Sequence, residues 1–272
     1  MIERRPAWLG FSTWALAILL AVVSVGPAAW LLAIALQPPG TDLREIGLAA
    51  TFDNFAAAWK DGSLAGPLLN SVIVTFARAS LNVLIAALAA YPLARMRFAS
   101  RNLIFVLLLC TMMVPEQVVL VPMFRIVVGM GLYDTLAAVV LPFSVTAFGI
   151  FLCRQAFMAI PASLEEAARM DGAGPLRIWW HVMLPLAAPT LATLGLFSII
   201  GAWSDLLWPL IVLQSRDAMT LPVAVNALQG TFATNPRAVY AGAVLSLVPI
   251  LVIFALLQRF MKPEMFGGAV KG

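Results

Sequence analysis

Long apolar runs separated by short clusters of charged and turn-forming residues organise this chain. Six runs, at about 11–36, 68–94, 102–125, 135–157, 186–213 and 238–259, stand out. At about 1.5 Å of rise per helical residue, each is long enough to cross a hydrocarbon core of about 30 Å. Proline recurs within or beside them, at Pro27, Pro92, Pro115, Pro122, Pro142, Pro209 and Pro249. A helix-interior proline removes a backbone hydrogen bond, so these spans should be kinked or broken and packed against neighbours that satisfy the freed carbonyls. The pattern predicts an all-α integral membrane protein, a single domain over 1–272 with six transmembrane helices and one charged connection, 158–185, between the fourth and fifth.

Composition agrees with the pattern. The chain is 62% hydrophobic and 11% charged, against about 45–50% and about 25% in a soluble domain. Its net charge of +4 comes from basic residues scattered singly, which argues against a nucleic-acid surface and for orientation in a membrane. With the N-terminus inside, the inner segments hold Arg4, Arg5, Arg95, Arg97, Arg101, Arg154, Arg169, Arg177, Arg259, Lys262 and Lys271, and the outer ones only Arg44, Lys60, Arg216 and Arg237. Basic residues favour the cytoplasmic side, so both termini are expected there. The first outer segment, 37–67, is acidic by comparison, with Asp42, Glu45, Asp53 and Asp61. The run from Ala7 to Leu36 exceeds the apolar core of a signal peptide and reads as a retained first span. Cys110 and Cys153 each sit in an apolar run and read as small core residues.

The charged connection carries the most information. Ser163-Leu164-Glu165-Glu166 has the form of a capping box, with Ser163 bonding the amide of Glu166 and Glu166 reaching back. Glu165 and Glu166 suit the positive end of the helix dipole, and Gly172-Ala173-Gly174 supplies a stop. Pro175 is placed to open a second helix through Arg177, Trp179, Trp180 and His181 toward the membrane. By composition alone the segment is equally an amphipathic interfacial loop with Trp179 and Trp180 at headgroup level.

The order Glu166-Ala167-Ala168, three residues, Gly172, nine residues, Val182-Met183-Leu184-Pro185 resembles the "EAA" signature of permease subunits of binding-protein-dependent ABC importers, with Val182 where that pattern usually has Ile. The stretches 70–98, 114–124, 150–173, Trp203-Ser204-Asp205-Leu206-Leu207-Trp208-Pro209-Leu210 and the closing GGAVKG resemble the carbohydrate-uptake branch, similar to the permeases for maltose, other sugars and glycerol 3-phosphate. The resemblance implies a type I importer permease fold in a prokaryotic inner membrane. It also implies a coupling helix that seats in a groove of an ATPase subunit, with Glu165, Glu166, Ala167, Ala168, Met170, Asp171, Gly172 and Ala173 as the docking surface. The implied partners are a second, similar permease, two copies of a cytoplasmic ATPase that bind ATP and magnesium, and an extracytoplasmic solute-binding protein, all acting by alternating access. Trp203-Ser204-Asp205 departs from the branch, which carries Asn between the tryptophan and the acid.

This chain has no phosphate-binding loop of the form G-x-x-x-x-G-K-[ST], since Lys60, Lys262 and Lys271 follow no such glycines. A lone His181 and two distant cysteines make no metal site, and no hydrolase motif is present. A non-catalytic transport subunit without a cofactor of its own is expected.

Charge inside a span is costly and usually faces protein or water. Arg78, Glu116 and Asp205 fall inside the second, third and fifth runs. Glu116 and Asp205 lie roughly 20–30 Å from the inner ends at ~1.5 Å per residue. One reading has Glu116, Gln117, Ser204 and Asp205, with Trp203 and Trp208 as stacking faces, lining the outer part of a route for a hydroxylated solute, with Glu116-Gln117 at a broken helix between Pro115 and Pro122. The other has them as structural pairs, for example with Arg78 or a partner subunit, or as acids at the outer interface. The rival functional class is a self-contained secondary carrier with Glu116 and Asp205 as ion sites.

Overall fold

The computed structural model describes residues 7–39, 47, 49–232 and 235–257, and among these the regular structure is entirely helical. Both termini lie outside the described residues, and with them Arg4, Arg5, Arg259, Lys262, Lys271 and the closing GGAVKG; Asp42, Arg44 and Glu45 of the first outer segment do too. Four described helices are long and apolar enough to cross a membrane: Leu16–Ala35, Ala65–Arg95, Pro175–Ser204 and Pro236–Leu256. Two bent pairs bring the number to six if each is one span.

The third and fourth expected runs are each bent within their length. Within 102–125 the chain forms α4 (Arg101–Thr111) and α5 (Glu116–Gly129), which meet at 102°. Pro115 ends the first piece because its ring disfavours helical backbone in the residue before it, and it then serves as the N-cap of the second. Glu116 and Gln117 are therefore the first turn of α5, while Pro122 lies inside that helix. Within 135–157, α6 (Leu136–Val140) and a short 3₁₀ turn through Pro142 meet α7 (Ala147–Ala159) at 44°.

The fifth span starts earlier than its hydropathy indicates. α9 (Pro175–Ile178), a π turn (Trp179–Met183) and α10 (Leu184–Ser204) run on as one helix. The ring of Pro185 presses on the carbonyl four residues back, that of His181, and the widened turn makes room for it. At the other end α10 stops at Ser204, and a separate α11 (Leu207–Val212) follows Asp205-Leu206.

The chain divides into two compact units. The first, 1–64 with 224–248, contains α1 (Ala7–Ala35), α2 (Asp53–Lys60), most of α12 (Leu221–Thr231) and the first part of α13 (Pro236–Leu257). The hydropathy pattern shows neither α2 nor α12. Asn54 Nδ2 donates to the carbonyls of Ala35 (2.9 Å) and Gln37 (2.7 Å), and Arg237 Nη1 to that of Ile34 (3.1 Å), so the carbonyls at the end of α1 are satisfied by buried side chains. Gly62 turns the chain so tightly after α2 that a Cβ there would lie 2.1 Å from the Ala58 oxygen.

The second unit, 65–223 with 249–272, is organised on α3 (Ala65–Arg95). Ala86, Ala87 and Ala90 on α3 are buried with Cys153 and Phe157 of α7 and with Met183, Ala187 and Leu194. Small side chains let helices in lipid approach closely, which is where packing between them gains most. Gly149 of α7 meets the same face, since a Cβ there would lie 3.1 Å from Ala86 Cβ and from Asn82 Oδ1. A second cluster gathers Val74, Val127, Val139, Trp208 and Val212.

Candidate functional site

The segment 158–185 stands on the end of α3. The helix α8 (Ala162–Met170) begins at Ala162 with Pro161 as its N-cap, and no side chain caps it. The expected capping box at Ser163 is thus corrected: Pro161 already fixes the entry, which moves the start two residues earlier and leaves Ser163 inside the first turn. Gly172 adopts φ +76, the left-handed conformation that glycine takes without a Cβ penalty. Pro175 opens α9 after Gly174, as the sequence predicts. Trp179 is buried and its Nε1 donates to the Ala87 carbonyl (3.2 Å), whereas Trp180 is exposed.

The two glutamates face opposite ways. Glu166, Ala167, Met170, Asp171 and Gly172 are exposed, with Ala168 and Ala173 half-buried. Glu165 is 6% exposed and turns inward. Its Oε1 accepts from Arg169 Nη2 (2.7 Å) and from the Tyr91 hydroxyl (3.4 Å), and its Oε2 lies 3.6 Å from Arg95 Nε. Accepting that bond from Arg169 also raises the arginine's pKa further. Arg95 Nη2 donates to the carbonyls of Phe157 (2.6 Å) and Ile160 at the end of α7, and Arg154 Nε to that of Leu93 (3.0 Å). Three side chains, Tyr91, Arg95 and Arg169, thus close on one carboxylate, and Arg95 joins it to the last carbonyls of α7. As a docking residue Glu165 is corrected: it belongs to the base of the segment.

Higher in the same unit, Arg78 Nη1 donates to Asp205 Oδ2 at 2.8 Å, and the guanidinium lies 4.2 Å over the Phe143 ring. Asp205 Oδ1 also accepts from the Trp208 amide (3.4 Å), so the acid holds the break between α10 and α11. One turn along α3, Asn82 Nδ2 donates to Ser198 Oγ (2.8 Å), and Asn82 Oδ1 accepts from the Thr146 amide (2.9 Å). A cavity of about 210 Å³ lies between these groups, walled by Arg78, Asn82, Phe143, Thr146, Phe197 and Ser198 among others. Sequence reasoning did not find Asn82, Thr146 and Ser198; an amide and two hydroxyls inside apolar runs were the available signal.

Of the six expected route residues, the structure brings Asp205 to this cavity's edge through Arg78. Trp203 and Trp208 are 3% and 1% exposed, and Trp208 Nε1 donates to the Ala138 carbonyl (2.9 Å), so neither offers a stacking face in this chain. Their rings complete the helix packing instead. Glu116 and Gln117 are exposed on α5, and Ser204 is exposed with its hydroxyl bonded to the Ile200 carbonyl. Among the described residues, no three of His, Cys, Asp and Glu come together as a metal-holding group.

Comparison with known proteins adds an independent line. The family model described as "binding-protein-dependent transport system inner membrane component" matches residues 82–267. The arabinooligosaccharides transport system permease protein AraQ of Bacillus subtilis (strain 168) is 32% identical over 242 residues, covering 86% of each chain. The trehalose transport system permease protein SugB of Mycobacterium tuberculosis (strain CDC 1551 / Oshkosh) is 33% identical over 252 residues, 90% of this chain and 92% of its own. A chain from the crystal structure of a bacterial ABC transporter involved in the import of the acidic polysaccharide alginate superposes with a TM-score of 0.82, covering 96% of this chain and 99% of that one at 24% identity, a likeness of fold.

Proposed function

This chain belongs to the family of binding-protein-dependent transport system inner membrane components, and on that premise we propose that it carries a carbohydrate inward as one half of an ATP-driven importer. It is a permease subunit and not an enzyme. In the proposed cycle a second, similar permease completes the route, two copies of a cytoplasmic ATPase bind ATP and magnesium beneath, and a solute-binding protein delivers the sugar from outside. ATP binding draws the ATPases together, the segments they hold move with them, and the helices above rock between inward- and outward-open arrangements.

The observation that carries this reading is the presentation of α8. A short helix with Glu166, Ala167 and Met170 outward, a left-handed glycine at its end and a buried ionic base beneath it is suited to sit in a groove on another protein. The relatives named for arabinooligosaccharides and trehalose support a carbohydrate as the solute. So does the cavity beside Arg78, where a neutralised ion pair, an amide, hydroxyls and aromatic rings suit a hydroxylated, uncharged ring. Glu116, Gln117 and Ser204, exposed in this chain, are proposed to face the route together with the second permease.

The test is to purify the tagged chain in mild detergent from its native membranes and identify stoichiometric partners by mass spectrometry, comparing wild type with Glu166→Arg. The expected result is an ATPase and a second permease with wild type, and loss of the ATPase alone with the variant. Recovery of the chain alone, or with other copies of itself, overturns the proposal.

A further inference from the structure

The buried base of α8 has a consequence for how movement reaches the membrane interior. Glu165 is the one acid in that base, and the groups it holds lie on separate elements: Tyr91 and Arg95 on α3, Arg169 on α8 itself, and, through Arg95, the carbonyls that end α7. α3 is one uninterrupted helix from Ala65 to Arg95. From Tyr91 to Arg78 it rises about 20 Å at 1.5 Å per residue. At that height Arg78 and Asn82 are tied to Asp205 and Ser198 at the far part of α10, and Asn82 to Thr146 at the start of α7. The rod is therefore fixed by charge at the foot and by an ion pair and an amide beside the cavity. Apolar contacts between helices in lipid let them slide at little cost, whereas a buried carboxylate with several donors holds one geometry.

We propose that Glu165 is a positioning residue that makes α8 and α3 move as one body, so that displacement of α8 by a docked ATPase is transmitted along α3 to the Arg78 cavity. The proposal rests on the docking of an ATPase at α8 and adds the route by which it acts. Two adjacent glutamates then have separate tasks: Glu166 faces the partner, and Glu165 ties the partner's movement to the membrane interior. Removing the Glu165 charge leaves the outward face of α8 intact and releases the link beneath it.

The experiment uses the whole complex with its own ATPase, second permease and binding protein in lipid nanodiscs. The reporter is Gly201→Cys, which lines the cavity and whose Cβ has nothing within 4 Å. The exposed Cys110 is changed to Ser, and Cys153 is fully buried and silent. The rate at which a water-soluble maleimide labels the reporter is measured without nucleotide and with ATP, magnesium and vanadate. The nucleotide-induced change in that rate is expected to fall about fivefold or more in Glu165→Gln, the lower end of ordinary coupling between sites, while the ATPase co-purifies in wild-type amount. Glu165→Asp, which keeps the charge, restores part of the response.

If Glu165→Gln assembles poorly, Tyr91→Phe, which removes only a hydroxyl on the α3 side, is expected to weaken the response in an assembled complex. A full response in an assembled Glu165→Gln or Tyr91→Phe complex overturns the proposal, even if thermal stability falls, since a purely structural bond predicts that pattern. A wild-type chain that recovers no ATPase overturns the docking reading itself and the link with it.

Discussion

At Arg78 the surroundings decide what a charge inside the membrane does. Its guanidinium, paired with Asp205 and laid over Phe143, is held by groups from two other parts of the chain, the end of α10 and the 3₁₀ turn before α7. Side-chain exposures of 10% and 16% keep the pair largely out of water. Removing one partner strands the other charge, which in a buried pair costs roughly 3–5 kcal/mol, whereas replacing both by apolar groups of similar volume is often neutral. Asp205→Ala should therefore lower the melting temperature of the detergent-solubilised complex. Arg78→Met with Asp205→Leu should recover most of that loss. If the pair also walls the solute route, uptake by cells carrying the double variant stays impaired although the protein is again stable. Full uptake in those cells would assign the pair to packing alone. Charge inside the apolar runs makes Arg78 and Asp205 visible in the sequence, but the partner of each is a long-range fact.

Among the elements, the connections do more than join helices. Asp134 Oδ1 accepts the backbone amides of Gln214 (2.7 Å) and Ser215 (2.9 Å), and its own amide donates to the Val212 carbonyl (2.9 Å). The connection between α5 and α6 is thereby tied to the chain leaving α11, with Asp134 in the left-handed region at φ 59. The two amide bonds favour the ionised carboxylate and hold its pKa below the ordinary 3.8. Because the native value is depressed, this tie contributes fully above the ordinary value and is lost as pH falls through the native one. Acid titration of Trp208 fluorescence should show a transition below the ordinary value in wild type that is absent in Asp134→Asn, a residue that still tolerates this backbone conformation. Turn chemistry of this kind is partly legible: Gly172 and Pro175 take the places that their types predict, while the N-cap of α8 does not. Ser163 and Pro161 both fit a helix start by local rules, and the chain entering from α7 settles the choice.

For the whole molecule, the distribution of basic residues predicts an orientation that the native lysines can test. Lys60 is expected outside, and Lys262 and Lys271 inside. An impermeant amine reagent applied to intact spheroplasts should modify Lys60 alone, with the other two appearing after the membrane is opened, as read by peptide mass spectrometry. Modification of Lys262 or Lys271 in sealed spheroplasts would reverse the orientation. The exposed apolar side chains of α1, from Leu16 through Val25, need lipid or another subunit around them.

The sequence by itself determined the helical class, the approximate placement of the apolar spans, the charged segment with its glycine turn and the resemblance that leads to the family. These follow from solvation by lipid and from backbone preferences, which act residue by residue and over short distances. Only the tertiary structure decided that Glu165 faces inward while Glu166 faces out, that Arg78 meets Asp205 across 127 positions, and that Trp203 and Trp208 are packed away. In helices apolar on many sides, hydropathy does not say which face meets which neighbour; close packing and the pairing of a few polar groups do.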